Sequence, residues 1–498
     1  MVKEDREVEL KLELDADGAE LLRAHALLAP IEPRAAPQSS IYYDTPDGML
    51  RRSGFTLRVR DSKGRHVQTV KQQVNGAAAG LFDRPEWEDG IEGCEPDFDL
   101  AAKTPLGPLL TKKVRRALRP LIRSDVSRTV WMVDWHGGTI EVVLDVGDVT
   151  GGKAVERIAE LELELKNGSA PILLEFARAL IDAVPARIGV LTKAERGYRL
   201  ADGSAARAAK GERIDLSPGM SSGEGFAAIC HSCLRQFRLN EPLVVSTSDP
   251  SALHQARVAM RRLRSAFVLF RPLVAGDPAF PAIREEVRWF TNQLGDARNL
   301  DVLLKRVGDR SKPLRKLLET ARDEAYEQVL GALASTRLRH LMLDLVAWIE
   351  TGAWRRGEPA AEPIEDFASD QLDKRWRKVK KGGRQLAKME PEARHQLRIE
   401  VKKLRYAVEF LAALQTGNAA AGQKKFAAAV EDVQEQLGHL NDAETARELL
   451  GDLIGERPDR DALLRAARGD DAQTSEKETI AAAAQAHRAL IDIGRFWR

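Results

Sequence analysis

The sequence predicts a multidomain α+β chain. Its N-terminal part reads as an antiparallel eight-stranded β-barrel with a charged, watery lumen and flanking helices, and its C-terminal part as an all-α domain of two tandem helical bundles. Three observations predict this. Glu7, Glu9, Lys11 and Glu13 alternate strictly with Val8, Leu10, Leu12 and Leu14, and Glu160, Glu162, Glu164 and Lys166 alternate with Leu161, Leu163 and Leu165. Beyond about residue 213 this two-residue period gives way to long helix-period segments rich in Ala, Leu, Arg, Lys, Glu and Gln. Inside that second half one pattern occurs twice, around His254 and around His395.

Each alternating stretch makes a strand with one leucine face and one charged face. For a single such strand the plain reading is a charged face turned to solvent. Two acid-rich faces can also converge inside a barrel, where clustered carboxylates are tolerated only if cations neutralise them. Between the two stretches, Ala16–Leu28 reads as a short helix, and Ile41–Asp44 as a strand ending in the turn signal Pro46-Asp47-Gly48. Phe55–Arg60 puts Arg58 and Arg60 on one face. Val67–Lys71 and Arg84–Glu88 follow as short strands, and in the latter Arg84, Glu86 and Glu88 alternate with Pro85 and Trp87. Val126–Val133 and Thr139–Val146 are two more strands, the second with Glu141 and Asp145 on one face, and Pro171–Ala183 reads as a covering helix.

Composition excludes little. Of 498 residues, 43% are hydrophobic, and 77 basic residues stand against 75 acidic ones, so only local clustering of charge can select a partner. No run of about 18 uncharged apolar residues offers a membrane span, and the first residues lack the basic-then-apolar pattern of a signal peptide; a cytoplasmic protein is expected. Cys94, Cys230 and Cys233 are too few for a disulfide framework, and the Cys230–Cys233 spacing, with no second pair, is expected to pack in a helix rather than hold zinc.

The ordered set Glu7-x-Glu9-x-Lys11, Tyr42-Tyr43-Asp44-Thr45-Pro46, Leu57-Arg58-x-Arg60, Thr69-Val70-Lys71, Glu160-x-Glu162-x-Glu164 and Lys193-x-x-Arg196-Gly197-Tyr198 resembles the CYTH domain, the triphosphate tunnel metalloenzymes. The resemblance covers residues 1–202. It implies metal-dependent hydrolysis of inorganic triphosphate to diphosphate and phosphate. Glu7, Glu9, Asp145, Glu160, Glu162 and Glu164 are then the candidate metal ligands, and hard oxygen donors suit Mg²⁺ or Mn²⁺. Lys11, Arg58, Arg60, Lys71, Lys166, Lys193 and Arg196 are the candidate substrate cations, since guanidinium and ammonium groups can hold a triphosphate along its length. Glu7, Glu9 and Lys11 form the catalytic group, with Lys11 near the reacting phosphates. A non-catalytic polyphosphate-binding protein, a class IV-type adenylate cyclase and a thiamine triphosphatase are the alternatives.

Residues 203–213 lose the strand pattern and read as a linker. From 214 to 498 the duplicated helices place His254, Arg257, Arg261 and Arg264 in one stripe, opposite Ala256, Met260, Leu263 and Phe267. His395, Arg398, Lys402 and Arg405 repeat the stripe opposite Leu397, Val401, Leu404 and Val408. Solvated faces usually mix signs, so two all-basic rows point to an anion. These helices resemble the CHAD domain, which implies inorganic polyphosphate as partner and association with polyphosphate granules. Lys374, Lys378, Lys380, Lys381 and Arg384 would widen the basic surface. Only 5% of residues are aromatic, without a stacking ladder, which disfavours nucleic acid. A later match pairs Leu294-Gly295 with Leu437-Gly438; Asn299 stands where the family carries an acidic residue, so a carboxylate role there lapses in the first copy. Oligomeric state stays open.

Overall fold

The computed structural model describes residues 5–73, 79–308, 311–415, 417–455, 457, 459–468 and 476–497. They form two compact units. The first comprises Met1–Lys210, Arg238–Leu243 and Ala334–Thr351, and the second Gly211–Phe237, Val244–Leu333 and Gly352–Arg498.

The first unit is an antiparallel barrel of β1 (Asp5–Glu13), β2 (Arg34–Asp44), β3 (Phe55–Ser62), β4 (Arg65–Gln72), β5 (Leu81–Ile91), β6 (Arg119–Trp135), β7 (Gly138–Gly151) and β8 (Ala154–Asn167). The strand order is β5-β4-β3-β2-β6-β7-β8-β1, and β5 pairs back onto β1 to close the ring. A two-residue strand, β9 (Arg187–Ile188), pairs with Leu12 and Glu13. Closure leaves no sheet edge along most of the ring. Hairpins β3–β4 and β6–β7 turn on two residues each, Lys63-Gly64 and His136-Gly137, all four at positive φ as such tight turns require. The first helix stops at Arg23, short of the expected Leu28, and is capped by Asp15, which accepts from Gly18 N at 2.7 Å. Strands β6 and β7 outrun the expected Val126–Val133 and Thr139–Val146 because alternation and pairing continue to Ile122 opposite Gly151.

The leucine rows pack outside the ring: Leu10, Leu12, Leu161 and Leu163 are at most 1% exposed. The Pro171–Ile181 helix buries Leu173, Leu174, Phe176, Ala177 and Leu180. The inner face is apolar at one end, where Tyr42, Ile122, Val126, Val149 and Ile158 pack with Ala194 of the Lys193–Ala201 helix. That helix approaches closely because two glycines permit it. A Cβ on Gly197 would lie 2.2 Å from Ile122 Cγ2, and one on Gly151 2.0 Å from Gly197 O. Thr192 and Glu195 cap it reciprocally, which fixes where Lys193 starts.

Fully buried Asp44 ties this end together. Its carboxylate accepts from the backbone N–H groups of Thr45 (2.7 Å), Leu50 (2.8 Å) and Arg51 (3.0 Å), and from Tyr198 Oη (2.7 Å). Asp44→Ala orphans four donors, so the barrel's unfolding transition in urea should lose about 3 kcal/mol. A loss within about 0.5 kcal/mol would mean that these donors find other acceptors.

In the second unit the duplicated helices are Pro250–Leu269 and Pro391–Phe410, each with proline at its start. Their predicted apolar rows are all buried. The two matched Leu-Gly pairs behave differently. Leu294-Gly295 stands between the Phe280–Gln293 and Gly295–Val307 helices, whereas Leu437-Gly438 lies inside the continuous Gly417–Ile454 helix. The side chains of Asn441 and Asp442 lie outside the described residues. Cys230 and Cys233 are buried in the Ser222–Thr247 helix, where burial pushes the Cys230 thiol well up and that of Cys233 up to about 12.

Candidate active site

The inward rows of the strands surround a cavity of about 220 Å³. One ordered water needs only ~10–15 Å³ on this measure, so the space suits a multi-atom guest. Glu7, Glu9 and Lys11 enter it from β1, Arg58 and Arg60 from β3, and Thr69 and Lys71 from β4. Arg84, Glu86 and Glu88 enter from β5, Arg128 from β6, Glu141 from β7, and Glu162, Glu164 and Lys166 from β8, with Lys193 at the helix start. Register brings the two acidic strands side by side, Lys11 opposite Glu162 and Glu9 opposite Glu164.

The charges interleave rather than dividing into an acidic and a basic wall. Lys11 Nζ pairs with Glu162, and Lys193 Nζ lies 2.9 Å from Asp145, 2.7 Å from Glu160 and 2.9 Å from Glu162. Arg128 grips Asp145 with two nitrogens, at 2.8 and 2.6 Å, and reaches Glu162 at 3.1 Å. Across the cavity Lys71 holds Glu7 at 2.5 Å and Glu86 at 3.2 Å, while Arg84 binds Glu9 at 2.8 Å. Arg58 and Arg60 approach Glu88 at 3.6 and 3.1 Å. Lys166, more exposed, pairs with Glu164 at 2.6 Å.

Not every expected residue reaches the cavity. Asp145 and Glu160, 0 and 1% exposed, lie beneath its wall among Arg128, Lys193 and Lys11. Arg196 does not line the cavity either; it is bound to Glu13 (2.9 Å), Glu160 (3.4 Å) and Glu156. Arg128 was not singled out by the sequence. Its row on β6 also carries Ile122, Ser124, Val126 and Val130, so no charge pattern marked it.

Opposing partners set the protonation states. Burial would raise the Glu7 carboxyl, but Lys71 and then Arg84 hold it down at about 2. Burial also opposes the charges of Glu162 and Lys11, yet Lys11 and Lys193 keep the Glu162 carboxyl well below its ordinary value, and Glu162 keeps the Lys11 ammonium above its own. Glu86 goes the other way, because burial with Glu7 and Glu88 nearby outweighs Lys71 and Arg58 and lifts it to about 7.

Folded Glu86 therefore keeps a proton that the unfolded chain, near 4.5, gives up. In metal-free protein its contribution to stability falls as pH rises from about 4.5 to about 7. Glu86→Gln should remove that fall, gaining about 3 kcal/mol on wild type at pH 8 relative to pH 4 in urea titrations. Parallel stability curves for the two proteins would show that Glu86 titrates normally.

In the second unit, the helix carrying His254, Arg257, Arg261 and Arg264 touches its counterpart directly. Arg261 Nε donates to Tyr406 Oη at 2.7 Å, and Arg262 Nε lies 2.9 Å from Glu409 Oε1. Arg257 donates to Gly295 O at 3.1 Å, and Arg405 stacks over Tyr406 at 4.5 Å. Arg298, not part of the predicted stripe, adds a cation; burial, then Arg298, Arg261 and Arg257, pull the His254 imidazole down to about 4, leaving it neutral. His395 and Arg264 are exposed, and Arg398 and Lys402 half-buried.

A closed barrel with an ion-paired lumen, joined to a duplicated helical unit with basic stripes, defines the class. Residues 5–198 match the family model of the CYTH domain, and residues 228–451 match that of the CHAD domain. The chain thus carries a CYTH-domain match followed by a CHAD-domain match. Over 199 residues it is 32% identical to an inorganic triphosphatase of Haemophilus influenzae, a stretch covering 39% of this chain and 55% of that protein. The chain thus spans about half the length of that curated relative. Among solved structures it is similar to a CHAD domain from the plant Ricinus communis, at 27% identity and TM-score 0.49 over 56% of this chain and 96% of that one. It is also similar to a Hippeastrum protein described as a candidate adenylyl cyclase with dominant triphosphatase activity, at 18% identity and TM-score 0.30 over 40% of this chain and 96% of that one. No helix among the described residues is long and apolar enough to cross a membrane.

Proposed function

We propose that the barrel hydrolyses inorganic triphosphate with the help of a divalent cation, Mg²⁺ or Mn²⁺, and that the helical domain binds inorganic polyphosphate. The observation that carries the first part is the dense alternation of Lys11, Lys193, Arg128, Lys71, Arg84, Arg58 and Arg60 with carboxylates around one cavity. Lys11 and Lys193, buried and charged, would meet the phosphoryl group under attack and offset the charge that grows on it. Arg58, Arg60 and Lys71 would hold the far end of the chain in line.

Glu7, Glu9, Glu162 and Glu164 supply hard oxygen donors of the right chemistry, although among the described residues no three acidic, His or Cys side chains are gathered as a ready-made cage. This set fits Mg²⁺, which usually takes only one or two protein carboxylates and completes its shell with phosphate oxygens and water. When bound, such a cation would withdraw charge from the phosphoryl oxygens and ease departure of diphosphate. Among the residues lining the cavity only Tyr42, Val143 and Ala194 offer apolar surface, little for a purine or thiazole to rest on, which favours the inorganic substrate over ATP and thiamine triphosphate. The prior pairing of lumen carboxylates with cations favours a second reading, in which the barrel holds tripolyphosphate without turnover.

One screen separates these readings. Purified protein is given tripolyphosphate, ATP or thiamine triphosphate with Mg²⁺, Mn²⁺ or chelator, and phosphate and cyclic AMP are measured. Metal-dependent release of phosphate, fastest from tripolyphosphate, is expected. Calorimetric binding without release would establish the second reading, and cyclic AMP from ATP would establish a cyclase.

A further inference from the structure

Arg238 lies on the stretch of the Ser222–Thr247 helix that belongs to the barrel unit, and it does not line the cavity. Its side chain is only 3% exposed, with Glu241, itself 2% exposed, beside it. It spends its donors on two points of the barrel. Nη2 donates to Glu13 Oε2 at 2.8 Å, and Nε donates to Ile188 O at 2.7 Å.

Both points lead to the same lysines. Glu13 shares its other oxygen with Arg196 at 2.9 Å; Arg196 reaches Glu160 Oε1 at 3.4 Å, and Glu160 Oε2 lies 2.7 Å from Lys193 and 3.9 Å from Lys11. By the other route, Ile188 precedes Gly189, whose N–H donates to Lys11 O at 2.8 Å. A Cβ on Gly189 would fall 2.8 Å from Lys11 Cγ, so this segment runs close to the stem of that lysine and leaves no room there for a side chain. Buried charges of alternating sign hold one another in place because freeing one strands the next in a poorly solvated site.

We infer that Arg238 is a positioning residue for the lumen: by clamping Glu13 and the Ile188 carbonyl it fixes where Lys11 and Lys193 present their ammonium groups. The inference rests on the triphosphatase reading for its catalytic consequence, but the geometry can be tested without it.

The experiment uses the full chain. In Arg238→Met, the side-chain resonances of Lys11 and Lys193, followed by NMR without ligand, should shift, and the KM for tripolyphosphate should rise about 10-fold with a smaller change in kcat. Arg238→Lys, which keeps the charge beside Glu13, should restore most of the KM. Should Arg238→Met fail to fold, Arg238→Gln removes the same charge while keeping a polar side chain, Glu13→Gln breaks the same chain one link on, and these two changes combined should be no worse than the more damaging of them alone. Unshifted lysine resonances in a folded Arg238→Met protein, or strictly additive losses in the double variant, overturn the inference. If wild type neither binds nor cleaves tripolyphosphate, the triphosphatase reading falls, and the ligand-free resonances still decide the role of Arg238.

Discussion

Glu9→Gln should cut metal-dependent phosphate release from tripolyphosphate by about 100-fold or more, about 2.7 kcal/mol of transition-state stabilisation. The amide keeps the shape of the side chain, and Arg84 retains Glu7 at 3.4 Å, so the surrounding pairs should stay close to their places. What is lost is one anionic oxygen donor in a site where Glu9 is 3% exposed. Because the lumen then carries one negative charge fewer, tripolyphosphate should bind no more weakly. The loss therefore belongs in kcat, with KM unchanged or lower, the signature of an interaction made chiefly in the transition state. Stopped assays at a Mg²⁺ concentration that saturates wild type measure it, and raising the metal above that concentration should recover part of the variant's rate. A loss below about threefold would remove Glu9 from the ligand set.

Reversing the charge of Arg257, Arg261, Arg398 and Lys402 together should abolish polyphosphate binding. The wild-type complex should weaken by about 10³-fold or more between 50 and 200 mM salt if six or more phosphates are neutralised, by extension from other dense polyanions. Because Arg257 also anchors Gly295 O and Arg261 anchors Tyr406, a glutamine version of the same four changes provides a control with less structural damage. Fluorescence anisotropy with labelled polyphosphate at several salt concentrations would give both the affinity and the slope. Reversal in one copy alone should reduce the slope to roughly half. Undiminished binding by the fourfold variant would move the site away from these helices.

The β1 and β8 rows were legible because a strand's two-residue period assigns every side chain to a face, and closure of the ring makes one face the lumen. The same rule located Arg58, Arg60 and Lys71. It could not separate cavity from floor, since Asp145 and Glu160 share rows with Glu141 and Glu162 and differ only in how near they stand to the helix that fills one end. Arg128 was missed for the converse reason, its row being mostly apolar or small. On the helical side the period showed which face of each duplicated helix is buried. Contact between the two helices through Arg261 and Tyr406 depends on tertiary packing, on which periodicity within one segment is silent.

The interleaved charges of the lumen carry a consequence for selectivity. A simple anion such as sulfate or chloride could enter only by prising lysines and arginines from their glutamates, leaving those glutamates exposed to one another in a poorly hydrated space. A guest that brings both signs, a polyanion escorted by divalent cations, can trade partners with the wall on both sides at once, and the exchange is close to electroneutral. The barrel would thus behave less like a basic trap than like a mixed-bed ion exchanger, indifferent to ordinary buffer anions and open to metal-complexed phosphate chains.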